Sequence, residues 1–121
     1  MMNLEECYEE LGGNYAELSN RLPSVRLIER FIGKFLEDQS FETLCQQMEC
    51  KNREKAFQAA HTLKGVCANL SFTRLLTSTT RLTEALRPET SSINDETLTM
   101  LSDVKRDYET TVDAIRRYFA Q

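Results

Sequence analysis

Toward the end of the chain the apolar residues Leu101, Val104, Tyr108, Val112, Ile115 and Phe119 recur at intervals of three or four. That spacing lays one continuous stripe along an α-helix, whereas a half-buried strand would repeat its apolar side every second residue. A stripe this long must be buried against other apolar surfaces, and the chain supplies them. Val25, Ile28, Phe31, Ile32 and Phe35 share a helical face over roughly 24–37. Phe41, Leu44, Cys45 and Met48 continue over 40–50, and Ala56, Ala60, Leu63, Cys67 and Leu70 follow in steps of 4, 3, 4 and 3. Leu75, Leu82 and Leu86, flanked by Phe72 and Leu76, complete the set. Gly (4) and Pro (2) are scarce and no period-two alternation is sustained, so the fold class is all-α.

Helix punctuation divides the chain. Asn3 can cap a short helix that ends at Gly12-Gly13, and Asn14 a second through about Arg21. Pro23 closes that piece and can open the next. Asn52 caps a helix running through Leu70. Ser71 marks a break and can cap a helix that runs to about Arg87. Pro88 to Asn94 forms the longest loop, and the last helix spans about Asp95 to Ala120. The expected architecture is an antiparallel up-and-down four-helix bundle over about 38–121, with the short helices of about 1–37 covering one end. A chain of 121 residues fits a single domain, 1–121.

Charge and cysteine usage narrow the function classes. The net charge of −4 disfavours nucleic-acid binding. No apolar run approaches the ~20 residues of a membrane span. The opening Met1-Met2-Asn3-Leu4-Glu5-Glu6 lacks the basic flank and apolar stretch of a signal peptide, so the cytoplasm is the expected location. Four cysteines without a secretion signal read as reduced thiols. Cys45 and Cys50 would point ~140° apart on a helix, there is no Cys-x-x-Cys, and one histidine cannot complete a His-rich site, so no metal site is expected. The charge is uneven, however. Residues 51–87 carry seven basic and two acidic side chains, for +5, against −9 over the rest. Such a region suits an anionic ligand or an acidic partner surface.

His61, the only histidine, lies within that region in Ala60-His61-Thr62-Leu63-Lys64-Gly65. At ~100° per residue it falls ~100–180° from every member of the Ala56–Leu70 seam and so faces away from the core. Lys64 at i+3 and Gly65 at i+4 share its face, as do Phe57 at i−4 and Ala68 at i+7. A mid-helix glycine costs ~1 kcal/mol against alanine. At a solvent-facing position the reading for Gly65 is steric clearance, so that something can approach the imidazole. Phe57 and Ala68 add apolar surface beside a cation, as a docking face would; Phe57 can equally pack on the rim of the core.

An exposed neutral imidazole is a nucleophile near neutral pH and forms a phosphoramidate with phosphorus. Phosphoryl transfer is mainly positioning and electrostatics, and Lys64 can supply one point charge. The chain has no Gly-rich phosphate loop, and no acidic residue on the His61 face stands near enough for a magnesium site or a general base; Glu54 is two turns away. His61 and Lys64 are therefore half an active site, and the metal and the second reactant must come from another protein.

His61-x-x-Lys64-Gly65, with Ala59-Ala60 before it and Ala68-Asn69-Leu70 and Leu75 after it, resembles the histidine-containing phosphotransfer (HPt) domains. Leu11-Gly12-Gly13 and Phe35-Leu36-Glu37-Asp38 extend the resemblance over most of the chain. It implies a phosphorelay intermediate in two-component signal transduction, with His61 taking a phosphoryl group from a receiver-domain aspartate or a sensor (hybrid) histidine kinase and passing it to another receiver domain. Lys64 would steady the phosphoryl oxygens and Gly65 would leave room. The chain would bind no cofactor, since the response-regulator partner brings Mg²⁺, and would act as a monomeric carrier without independent turnover. Arg87 falls where some relatives carry a basic residue near the docking face. Ser71 and Thr83 depart from the family pattern, which often has glycine and an acidic residue there. The competing readings are a non-transferring helical adaptor that docks partners through the same face, and a metal- or thiol-based sensor that the cysteine spacing disfavours.

Overall fold

The computed structural model of the chain describes residues 1–88 and 92–121. These residues form α1 (Leu4–Leu11), α2 (Tyr15–Arg21), α3 (Val25–Phe35), α4 (Ser40–Glu49), α5 (Arg53–Asn69), α6 (Thr73–Ala85) and α7 (Asp95–Phe119), with no strand among them. The chain is all-helical, as the periodicity predicts. The expected Pro88–Asn94 loop includes residues 89–91, which lie outside the described residues.

Local chemistry sets most helix starts. Asn3, Asn14, Ser24, Asn52 and Asn94 each accept a hydrogen bond from the backbone N–H three residues on. Such a cap satisfies an orphan donor of the first turn and contributes about 1 kcal/mol. At Asn3 and Asn94 the bond is reciprocated, by Glu6 and Thr97. Ser24 opens α3, and Pro23 stands outside it.

The ends of α1, α4 and α5 share one solution. Gly12 (φ 78°), Lys51 (φ 58°) and Ser71 (φ 56°) turn into the left-handed region. The next backbone N–H then reaches five residues back, from Gly13 to Tyr8, Asn52 to Gln47 and Phe72 to Cys67, at 2.8, 2.9 and 3.0 Å. Ser71 is therefore not the cap of the following helix: α6 starts after Phe72, without a side-chain cap. A non-glycine residue in this conformation costs roughly 1–2 kcal/mol, and tertiary bonds offset it. The Ser71 hydroxyl donates to Glu17 Oε1 at 2.6 Å and accepts from Arg21 Nη2 at 3.0 Å. Its carbonyl accepts the Asn14 N–H at 2.9 Å.

Helices α4, α5, α6 and α7 pack successively on one another, and α1 lies against α7 and α2. The α5 seam of Ala56, Ala60, Leu63, Cys67 and Leu70 is buried throughout. Phe72, expected to flank the core, lies at its centre, with its ring 5.7 Å from Tyr8 and 5.0 Å from Phe35. Tyr8 also donates to the Leu70 carbonyl at 2.9 Å, which ties α1 to the end of α5. The first three helices are thus part of the core as well as a cover. Two expected stripes lose members. Val25 and Phe31 on α3, and Phe119 on α7, are 52, 36 and 43% exposed. On α3 the face turned inward is the narrower Ile28, Ile32 and Phe35.

Candidate functional site

Helix α5 carries the candidate site on the side opposite its core seam. Small side chains at Ala56, Ala59 and Ala60 let the neighbouring helices approach, and Leu63 and Cys67 continue the buried side. With that side committed, His61, Gly65 and Ala68 are exposed and Lys64 and Phe57 half-buried, as the helical spacing predicts. Gly65 has open space around it: a Cβ built there would meet nothing within 4 Å. No packing requirement within this chain explains the glycine.

The Phe57 ring stacks beside the imidazole of His61, with centroids 6.0 Å apart and planes 21° from parallel. Phe57 also packs against the core, so the rim reading and the surface reading both hold for it. The structure brings Arg87 to the same place. The guanidinium carbon of Arg87, just beyond the end of α6, lies 5.6 Å from the Phe57 centroid, within cation–π range. Arg87 pairs with Glu84, one turn earlier on α6. Lys64 contributes through charge. The Arg87 hydrogen bond and the positive charges of Arg87 and Lys64 hold the Glu84 carboxyl below the usual carboxylate range. Ala68 sits two turns beyond His61 on the same face.

Glu84 and Arg53 were not singled out by sequence. Glu84 reaches this face from α6 rather than from α5, and it is engaged with Arg87. Its i, i+3 spacing to Arg87 is the local signal that could have found it. Arg53 donates to the Leu86 carbonyl and pins the end of α6 to the start of α5. That bond joins residues far apart in sequence and leaves no local signal. Thr83 is fully buried and donates to the Thr79 carbonyl at 2.7 Å.

His61 stands exposed on an open helix face. A cleft of about 470 Å³ opens elsewhere, among α2, α3 and the end of α5, lined by Leu22, Phe31, Phe35, Val66 and Leu70, and His61 is not in its lining. No group of three or more metal-ligating side chains occurs among the described residues. All four cysteines are free. Cys67, buried on the seam, has its thiol pushed up to about 12 by desolvation, a setting that suppresses the reactive thiolate. Among the described residues, no helix is long and apolar enough to cross a membrane.

The chain matches no curated protein and no solved structure. Residues 26–117, about three quarters of the chain, match the family model of the Hpt domain. The matched stretch contains α5, α6 and the whole of the face described above. The chain therefore belongs to the Hpt domain family, whose role is phosphotransfer in two-component signalling.

Proposed function

We propose that this protein is a phosphorelay intermediate that carries a phosphoryl group on His61 between two receiver domains, or from a sensor (hybrid) histidine kinase to a receiver. The observation that carries the reading is the pairing of an exposed imidazole with a glycine one turn on whose surroundings are empty. A mid-helix glycine with no internal reason sacrifices helix stability. The space it leaves beside His61 suits a partner that must come close.

In the forward step an imidazole nitrogen attacks the phosphorus of an aspartyl phosphate on the donor. The N–P bond forms as the acyl P–O bond breaks, and the aspartate leaves as carboxylate. Transfer onward reverses these bond changes on the acceptor. Lys64 steadies the phosphoryl oxygens as a point charge, and the receiver supplies Mg²⁺ and the acidic pocket. The basic surplus over 51–87 favours encounter with such an acidic partner. We read 1–121 as one domain with α4–α7 as an up-and-down bundle, acting as a monomer in the cytoplasm without turnover of its own.

The test is incubation with phosphorylated receiver domains. Wild type acquires an acid-labile, base-stable phosphate and His61→Gln acquires none. Undiminished labelling of His61→Gln, or no labelling of wild type by any receiver or kinase, rejects the proposal.

A further inference from the structure

An exposed histidine on a helix ordinarily exchanges among its staggered rotamers on the picosecond to nanosecond scale. His61 has a neighbour that opposes this. The Phe57 ring, one turn earlier, lies near-parallel to the imidazole at 6.0 Å. Phe57 is not free to swing away, because it is half-buried against the core. The Arg87 guanidinium lies over the Phe57 ring, 5.6 Å from its centroid. Arg87 is in turn held by Glu84 through a hydrogen bond and an ion pair. A carboxylate thus holds a guanidinium, the guanidinium lies over an aromatic ring, and that ring stacks beside the imidazole.

We infer that Phe57 is a positioning residue for His61: its ring, braced by Arg87 and Glu84, holds the imidazole in the orientation that presents a ring nitrogen to an incoming phosphorus. The inference rests on the phosphoryl-carrier reading for its purpose, and on the stacking geometry alone for its mechanism. It differs from a docking role in what it affects. A docking side chain changes how much partner is needed, whereas a positioning side chain changes how fast the bound pair reacts. A nucleophile spread over several orientations spends less time in line with the phosphorus, and the rate of the bound pair falls in proportion.

The experiment compares the full-length wild type with Phe57→Leu, which keeps the apolar volume and removes the ring, and with Phe57→Tyr, which restores it. In the unphosphorylated proteins, NMR reads the ring-current shift of the His61 imidazole protons. Phe57→Leu loses that shift and Phe57→Tyr keeps it. In transfer from a phosphorylated receiver, Phe57→Leu lowers the saturating rate roughly three- to tenfold, leaves the half-saturating receiver concentration unchanged, and Phe57→Tyr recovers the rate. Wild-type imidazole shifts in Phe57→Leu, or a loss confined to the half-saturating concentration, overturn the inference. Should Phe57→Leu fail to fold, Glu84→Gln at its exposed site moves the imidazole protons in the same direction by less, and an unmoved spectrum overturns the bracing. Should no receiver label wild type, the carrier reading fails by itself. Phosphoramidate, a small donor that needs no docking partner, then decides the positioning question: slower labelling of Phe57→Leu than of wild type upholds it, and equal labelling overturns it.

Discussion

The two sides of α5 are built on opposite rules. On one, Ala56, Ala60, Leu63 and Cys67 have no accessible surface, and each is selected for size against a neighbouring helix. On the other, His61 and Gly65 are exposed, and an added methyl at Gly65 would touch nothing. The buried side explains itself through contacts within the molecule. The exposed side does not: its glycine weakens the helix without packing against anything, and its basic groups cluster without closing a pocket. In the proposed carrier role, what internal packing leaves unexplained on this side is the room a partner needs. The Phe57, Arg87 and Glu84 contacts are an exception on that side, where the surface is organised within the molecule.

The contrast can be broken by substitution. Leu63→Ala, on the buried side two residues from His61, is expected to cost about 2–5 kcal/mol of unfolding free energy in a denaturant titration. The molecules that remain folded should accept phosphate at the wild-type rate. Slow phosphorylation with little loss of stability would show that the two sides are not separable.

The buried thiol on the same helix gives a pH test. The Cys67 thiol is raised from 9.0 to about 12, because burial disfavours the thiolate. Its contribution to stability is therefore fully present below the unfolded-state value and is lost as pH climbs through the window between those values. Over that window the slope from this one group is up to about 1.4 kcal/mol per pH unit. Urea titrations between these pH limits should show it, and Cys67→Ala should flatten the slope while lowering stability at neutral pH.

Gly65→Ala is the smallest in energy and the most diagnostic. The substitution should stabilise the fold by about 1 kcal/mol, since alanine is the better helix former and meets no clash in this chain. Transfer from a receiver should fall all the same. A variant that is more stable and equally fast would remove the argument that the glycine serves a partner.

Much of this was legible in the sequence because it is local. The caps at Asn3, Asn14 and Asn52 act over three residues, the α5 seam over steps of three and four, and the exposure of His61 follows from the same arithmetic. Expectation and structure part where width or distance matters. The buried face of α3 is narrower than its apolar stripe, since periodicity gives a direction but not how far around the helix burial extends, and Val25 and Phe31 remain at the surface. The Ser71 side chain suggests a cap, but its backbone ends α5 instead. Its left-handed backbone is sustained by Glu17 and Arg21, more than forty residues earlier, which no local window contains.

By itself the sequence determined the all-helical fold, the capped starts at Asn3, Asn14 and Asn52, the buried seam of α5 and the face on which His61, Lys64 and Gly65 stand together. These depend on hydrogen bonds and side-chain spacing within about one or two turns of a single helix. Only the tertiary structure decided that Phe72 is fully buried between Tyr8 and Phe35, that α1 and α2 hold the end of α5, and that Arg87, paired with Glu84, meets Phe57 beside His61. Those depend on the height and rotation of one helix against another, which packing sets and spacing along the chain does not encode.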